Sequence, residues 1–88
     1  MDKKLIFKDI PDKREYKNTT SLKFKEDLID AFQDIGQEYT CLELGTNHGH
    51  TTRILSFLFK HVVTLDWLEE PNLRMAKELN QDRDNITY

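Results

Sequence analysis

Between positions 22 and 35 apolar residues return at steps of three and four, at Phe24, Leu28, Ala31 or Phe32, and Ile35. That period sets them on one face of an α-helix of about four turns. Thr20 or Ser21 stands where an N-cap is expected, and Gly36 stands where the chain must leave the helix. The period then changes. Tyr39, Thr40, Cys41, Leu42, Glu43 and Leu44 form a short β-prone run closed by Gly45, and a second helical pattern covers 51–59, with Ile54, Leu55, Leu58 and Phe59 as its core side. A second strand at 61–65 ends at Asp66. Pro71 opens a further helix to about residue 80, with Leu73, Ala76 and Leu79 inward, and 85–88 reads as the opening of a third strand.

Strands alternating with helices of about ten residues make βαβ units, and right-handed crossovers set successive strands side by side in a parallel sheet. The expected fold class is therefore α/β: a partial Rossmann-like parallel sheet, a βαβαβ half, preceded by an amphipathic helix. Residues 1–20 carry one apolar patch, Leu5, Ile6 and Phe7, then Pro11 and a polar run; they read as a loosely ordered N-terminal arm, with 21–88 as the domain. The first strand of a doubly wound sheet lies centrally, so its far edge is expected to lack a partner within these residues. Such an edge invites an oligomer or a second chain to cover it.

Composition narrows the picture further. The 88 residues are 38% hydrophobic and 33% charged, against about 45–50% apolar and about 25% charged in typical domains, so the core must be thin. At a formal charge of −3, with Lys and Arg interleaved among Asp and Glu, nucleic acid is not favoured as a partner, and the basic stretch from Lys3 to Lys25 reads as a solvated face. No secretory h-region is visible in the sequence, and no apolar run approaches the roughly 20 residues of a membrane span, which predicts a soluble, cytoplasmic protein with no membrane partner. Cys41, the single cysteine, is expected to be a small buried hydrophobe. His48, His50 and His61 lack the rigid spacing and the nearby thiolates of a zinc site, so no metal is predicted, and His61 reads as a cation complementing a helix end.

The chemistry concentrates in the bend Glu43-Leu44-Gly45-Thr46-Asn47-His48-Gly49, between a strand and a helix. Backbone N–H groups and the positive end of the helix dipole point there into the crevice above the sheet. Asp66, 21 residues beyond Gly45, sits at the tip of the second strand, where an acid can accept hydrogen bonds from both hydroxyls of a ribose. An adenosine-containing ligand follows from that pairing. Dinucleotide binding requires G-x-G-x-x-G, but from Gly45 the second and third positions of that pattern are Asn47 and His50. An acid followed by G-x-x-x-G is met by Glu43, Gly45 and Gly49. Taken singly, each has a plainer reading: Glu43 as a strand-end carboxylate, Asp66 as a turn former, Trp67 as a cap on the core.

The stretch from Leu42 to Thr51 resembles motif I of class I S-adenosylmethionine-dependent methyltransferases, nearest the branch that includes catechol O-methyltransferase. There too the middle glycine of the commoner motif is replaced, as by Asn47, and a hydroxyl residue follows two positions after the last glycine, as Thr51 does. The resemblance runs on through Val63, Thr64, Leu65 and Asp66 and extends to Tyr88, about half of the chain. It implies S-adenosylmethionine as cofactor, with Glu43 near the methionine amino group and Gly45, Thr46, Asn47 and Gly49 lending their backbone along the methionine and ribose. It further implies Thr51 at the methionine carboxylate, Asp66 at the ribose hydroxyls and Trp67 against the adenine. In that family the acceptor site and catalytic groups follow the fourth and later strands, so the chain is expected to be the N-terminal, cofactor-binding half. No catalytic residue is assigned, and the methyl acceptor, a small molecule by preference, is left unidentified. The rival expectations are a non-catalytic binding or assembly module that uses the open sheet edge, and an NAD-dependent oxidoreductase.

Overall fold

The computed structural model describes residues 2–8, 10, 20–67 and 71–88. Ser21 opens the longest helix, α2 (Leu22–Phe32), as a true N-cap: its hydroxyl accepts from the Phe24 N–H at 3.1 Å. The helix ends three residues earlier than the sequence pattern suggests, and Gly36 begins a 3-10 turn (Gly36–Glu38) instead of stopping α2. Gly36 is needed for close approach, because a Cβ there would lie 2.3 Å from the Leu58 carbonyl oxygen. The buried face is also rotated from the expected one. Ile29 and Lys25 are its buried residues, while Phe24 and Ile35 are 45% and 52% exposed.

The arm expectation also needs correcting in part. Residues 3–7 form a short helix, α1 (Lys3–Phe7), capped by Asp2, whose Oδ1 accepts from the Lys4 N–H at 3.0 Å. Ile6 and Ile10 are buried with Ile29, Ile54 and Leu58, so this segment completes the core; Phe7, Leu28, Phe32, Phe57 and Phe59 pack around it. Most of the polar run after Pro11 lies outside the described residues.

The expected strands follow in order as β1 (Thr40–Leu44), β2 (His61–Leu65) and β3 (Ile86–Thr87), joined by α3 (His50–Leu58) and α4 (Asn72–Leu79). They form one parallel sheet in the order β1-β2-β3, with Glu43 opposite Thr64 and Leu44 opposite Leu65. This is the α/β, Rossmann-like half that the sequence implies. Among the described residues no strand pairs with the outer edge of β1. Side chains alternate between faces along a strand. Val62 and Thr64 are fully buried and Glu43 is buried, whereas Leu42, Leu44 and Leu65 on the other face are 60%, 77% and 50% exposed. No helix among the described residues is long and apolar enough to cross a membrane.

The chain after α4 is stitched back onto α3. Arg53, 6% exposed, donates through Nη1 and Nη2 to the two carboxylate oxygens of Asp82 at 2.7 and 3.1 Å, and through Nη1 to the Leu79 carbonyl at 3.2 Å. Arg83 lies 3.8 Å from the Phe57 ring centre and donates to the Ser56 hydroxyl and carbonyl. His61 does not serve a helix end; as the first residue of β2 it hydrogen-bonds the Thr87 hydroxyl at 2.7 Å through Nε2. Cys41 is half-buried, and burial, with Glu43 adding to it, pushes its thiol above the ordinary range.

Candidate functional site

Three residues with positive φ shape the bend between β1 and α3: Gly45 at 100°, Asn47 at 47° and Gly49 at 83°. Asparagine is the side chain that tolerates this region best after glycine, which explains its place in the middle of the turn. The Gly45 N–H donates to the Leu65 carbonyl at 2.6 Å and the Gly49 N–H to the Thr46 carbonyl at 2.9 Å, so the bend is tied both to β2 and to itself. Gly49 also serves as N-cap residue of α3. A Cβ on Gly49 would strike Ala76 of α4, whereas a Cβ on Gly45 would meet nothing within 4 Å. One glycine is demanded by packing, the other stands under open space.

Asp66 reaches into this bend. Its Oδ2 accepts from the Asn47 N–H at 2.7 Å and its Oδ1 from the Trp67 N–H at 2.7 Å. The acid at the end of β2 is thus hydrogen-bonded to the loop at the end of β1. Below it runs a buried polar spine. Glu43 Oε1 accepts from the Thr52 hydroxyl and, at 2.8 Å, from the Thr64 hydroxyl, and Thr64 and Thr46 share a hydrogen bond of 2.5 Å. Burial is the largest influence on the Glu43 carboxyl and raises its proton affinity; the two threonine hydroxyls partly offset this, and the charge of Asp66 adds to it. A cation brought to Glu43 would relieve that cost.

A cavity of about 310 Å³ lies against the β1 edge, at the small end of the range for ligand pockets. Its floor is the bend, with Gly45, Thr46, Asn47 and His48; Glu43 lines it from β1, flanked by Leu42 and Leu44. The start of α3 contributes His50 and Thr51, and α2 closes the far wall with Phe24, Lys25 and Leu28. The Thr51 hydroxyl is hydrogen-bonded to that of Thr20 at 2.9 Å, which pins the entry of α2 to the first turn of α3.

The residues expected at the site therefore divide. Glu43, Gly45, Thr46, Asn47 and Thr51 line the cavity; Gly49 lies beneath it as a packing point; Asp66 adjoins it through Asn47 without lining it. Trp67 is 88% exposed and lies outside the core and outside the cavity lining, so it does not act as a core cap. Sequence reasoning missed the α2 wall. The signal was present in Lys25, which stands in register with Ile29 and Phe32 on the stripe that α2 buries. It missed His50 as well, whose proton affinity is reduced first by burial, then by Lys25 and His48. The His48 and His50 rings stand 6.0 Å apart, edge to face.

The described residues thus make an α/β unit in which a glycine bend, a helix start and a strand-tip acid stand together at one end of a parallel sheet. No family profile and no curated protein matches the chain. Among solved structures it is similar to the YcgJ protein from Bacillus subtilis, with a TM-score of 0.60 and 19% identity over 74% of this chain. The match spans 28% of that longer chain. At this identity the likeness concerns the fold.

Proposed function

We propose that the chain is the cofactor-binding part of an S-adenosylmethionine-dependent methyltransferase. The observation that supports the reading is the 2.7 Å hydrogen bond from the Asn47 N–H to Asp66, which sets the strand-tip acid beside the glycine bend as an adenosyl site would need. The residues present suit the cofactor: a buried carboxylate for an ammonium, open space above Gly45 for the chain of the ligand, and an acid at the ribose position. The glycine spacing and the bulk of Asn47 and His50 argue against a pyrophosphate.

S-adenosylmethionine supplies the sulfonium-bound methyl group, so the protein's task is to hold it in a near-attack arrangement. In this assignment Glu43 meets the amino group and the Thr51 N–H and hydroxyl meet the carboxylate. Gly45 and Asn47 shape the path of the methionine and ribose, Asp66 takes the ribose hydroxyls, and Trp67 lies against the adenine. The acceptor, a small molecule by preference, and the groups that act on it belong to no residue assigned here. Location in the cytoplasm is part of the same proposal.

A second reading, a non-catalytic binding or assembly module, is favoured by one observation: Leu42, Leu44 and Leu65 lie exposed on a sheet face beside a β1 edge that no strand pairs with among the described residues. Calorimetry of the 88-residue chain with S-adenosylmethionine, S-adenosylhomocysteine and NAD separates the possibilities. Saturable binding of the two adenosyl thio-compounds with no NAD binding is expected. Preference for NAD, or binding of none of the three, overturns the cofactor assignment; adenosyl binding with no methyl transfer in any assembled complex favours the second reading.

A further inference from the structure

Three threonines from three elements are buried at one place: Thr64 of β2 and Thr52 of α3 are fully out of solvent, and Thr46 of the bend is 3% exposed. A hydroxyl taken out of water needs a partner, whereas a valine would fill nearly the same space without that demand. All three hydroxyls lead to Glu43. Its Oε1 accepts from the Thr52 hydroxyl and, at 2.8 Å, from the Thr64 hydroxyl. A hydroxyl owns a single proton, and that of Thr64 is spent on Glu43, so in the 2.5 Å bond between Thr46 and Thr64 the donor is Thr46. Every hydroxyl proton of the cluster therefore runs toward Oε1, whose two lone-pair sites are filled. Oε2 is different. It takes no hydrogen bond among the described residues and is not sealed from solvent, and Glu43 lines the cavity.

Resting on the adenosyl reading above, which sets the ligand's amino group at Glu43, we infer that Thr52 and Thr64 are the positioning residues of that contact: by filling Oε1 they commit Oε2 to the ligand's ammonium. Thr46 acts one step behind, because its proton holds the Thr64 hydroxyl in the donating orientation. A proton arriving at the carboxyl must also take Oε2, so proton and ammonium compete for one atom. The other charged or titratable groups around Glu43 are Asp66 at the end of β2, Cys41 on its own strand, Tyr88 after β3, and Lys25, His48 and His50 in the cavity wall. Burial raises both the Cys41 thiol and the Tyr88 hydroxyl, which keeps them out of the acid range. Asp66, placed at the ribose by the same reading, acts on any adenosyl ligand alike.

The test compares S-adenosylhomocysteine with 5′-methylthioadenosine, which shares the adenosine and thioether but lacks the amino-acid end. Calorimetry on the full chain is run between pH 5 and 8 for the wild type, Thr64→Val and Thr64→Ser. In the wild type the preference for S-adenosylhomocysteine is expected to fall as pH falls and Oε2 takes a proton. Thr64→Val should weaken S-adenosylhomocysteine roughly 2- to 12-fold at pH 7, the span of one hydrogen bond, and leave 5′-methylthioadenosine within about twofold. It should also move the fall in preference to higher pH, since the lost hydroxyl favours the ionised carboxylate; both histidines stay in place, so the movement belongs to Glu43. Thr64→Ser, which keeps the hydroxyl, should restore both. Equal losses for the two ligands with an unmoved pH profile would mean that Thr64 only fills the core, and that result overturns the inference while the adenosyl reading stands. A wild type that binds neither ligand removes both. Should Thr64→Val fail to fold, Thr52→Val takes its place with the same expected movement, and a wild-type preference that stays flat across the range overturns the inference by itself.

Discussion

Replacing each of the two cavity-side glycines by alanine separates a packing demand from a ligand demand. At Gly49 the new Cβ would lie 2.9 Å from both Cα and Cβ of Ala76 and 2.8 Å from Asn80 Nδ2, at a φ of +83°. The left-handed backbone costs an L-residue about 1–2 kcal/mol, and forcing a methyl into packed atoms adds about 1–3 kcal/mol. Gly49→Ala should therefore lose about 2–5 kcal/mol, a large share of the roughly 4–13 kcal/mol expected for a domain of this length. At Gly45 the φ of +100° carries the same backbone cost, but no protein atom lies within 4 Å of the Cβ. Gly45→Ala should lose only about 1–2 kcal/mol of stability, while its methyl enters the space assigned to the ligand and weakens S-adenosylmethionine binding. Urea unfolding followed by circular dichroism gives the first quantity, and calorimetry the second. If Gly49→Ala proves no less stable than Gly45→Ala, the packing argument fails; if Gly45→Ala binds the ligand at full strength, the bend is not where the ligand lies.

Glu43→Gln tests the buried carboxylate. Because burial raises the proton affinity of Glu43, its contribution to stability is complete below the ordinary glutamate value near pH 4.3 and is lost as pH rises through the higher folded value. The glutamine variant should flatten that decline, and urea midpoints between pH 4 and 8 that fall as steeply as in the wild type would remove the argument. Asp66→Ala should weaken S-adenosylmethionine about 10- to 150-fold, the equivalent of about 1.5–3 kcal/mol, and unchanged affinity in calorimetry takes Asp66 out of the site. Arg53→Met breaks the paired hydrogen bonds to Asp82 and the bond to the Leu79 carbonyl; it should cost about 1–3 kcal/mol in urea unfolding, and a variant as stable as the wild type would show that α4 does not depend on this clasp.

The strands and the bend were legible because their signals are local. Val62, Val63 and Thr64 are consecutive β-branched residues, and Gly45, Asn47 and Gly49 are the residues that positive φ favours, so their places follow from local preference alone. What escaped was set by contacts distant in sequence. Five residues from Lys3 to Phe7 make no convincing helix by period, yet burial of Ile6 against Ile29, Ile54 and Leu58 holds them in one. Phe24 and Ile35 count as apolar in any pattern, but α2 turns Ile29 inward and leaves both partly exposed. Lys25 stood in register with the buried stripe, but a lysine in a charged stretch reads as solvated, and only tertiary packing buries it. The core-cap reading of Trp67 fails for the opposite reason, since a large aromatic suggests burial and this one is 88% exposed.

The hydrogen bonds around Asp66 bear on what that carboxylate has left to offer. An ionised carboxylate presents about four lone-pair sites over its two oxygens. The Asn47 N–H occupies one on Oδ2 and the Trp67 N–H one on Oδ1, which leaves roughly one acceptor site on each oxygen. A vicinal diol presents two hydroxyl donors, and the remaining capacity matches that number. The same two N–H groups hold the carboxylate in place before any ligand arrives, so little side-chain entropy remains to be lost on binding. An asparagine at position 66 would keep one such acceptor oxygen and turn an NH2 toward one of the two backbone donors. The acid therefore serves the bend and the proposed ribose together, and a substitution there acts on both.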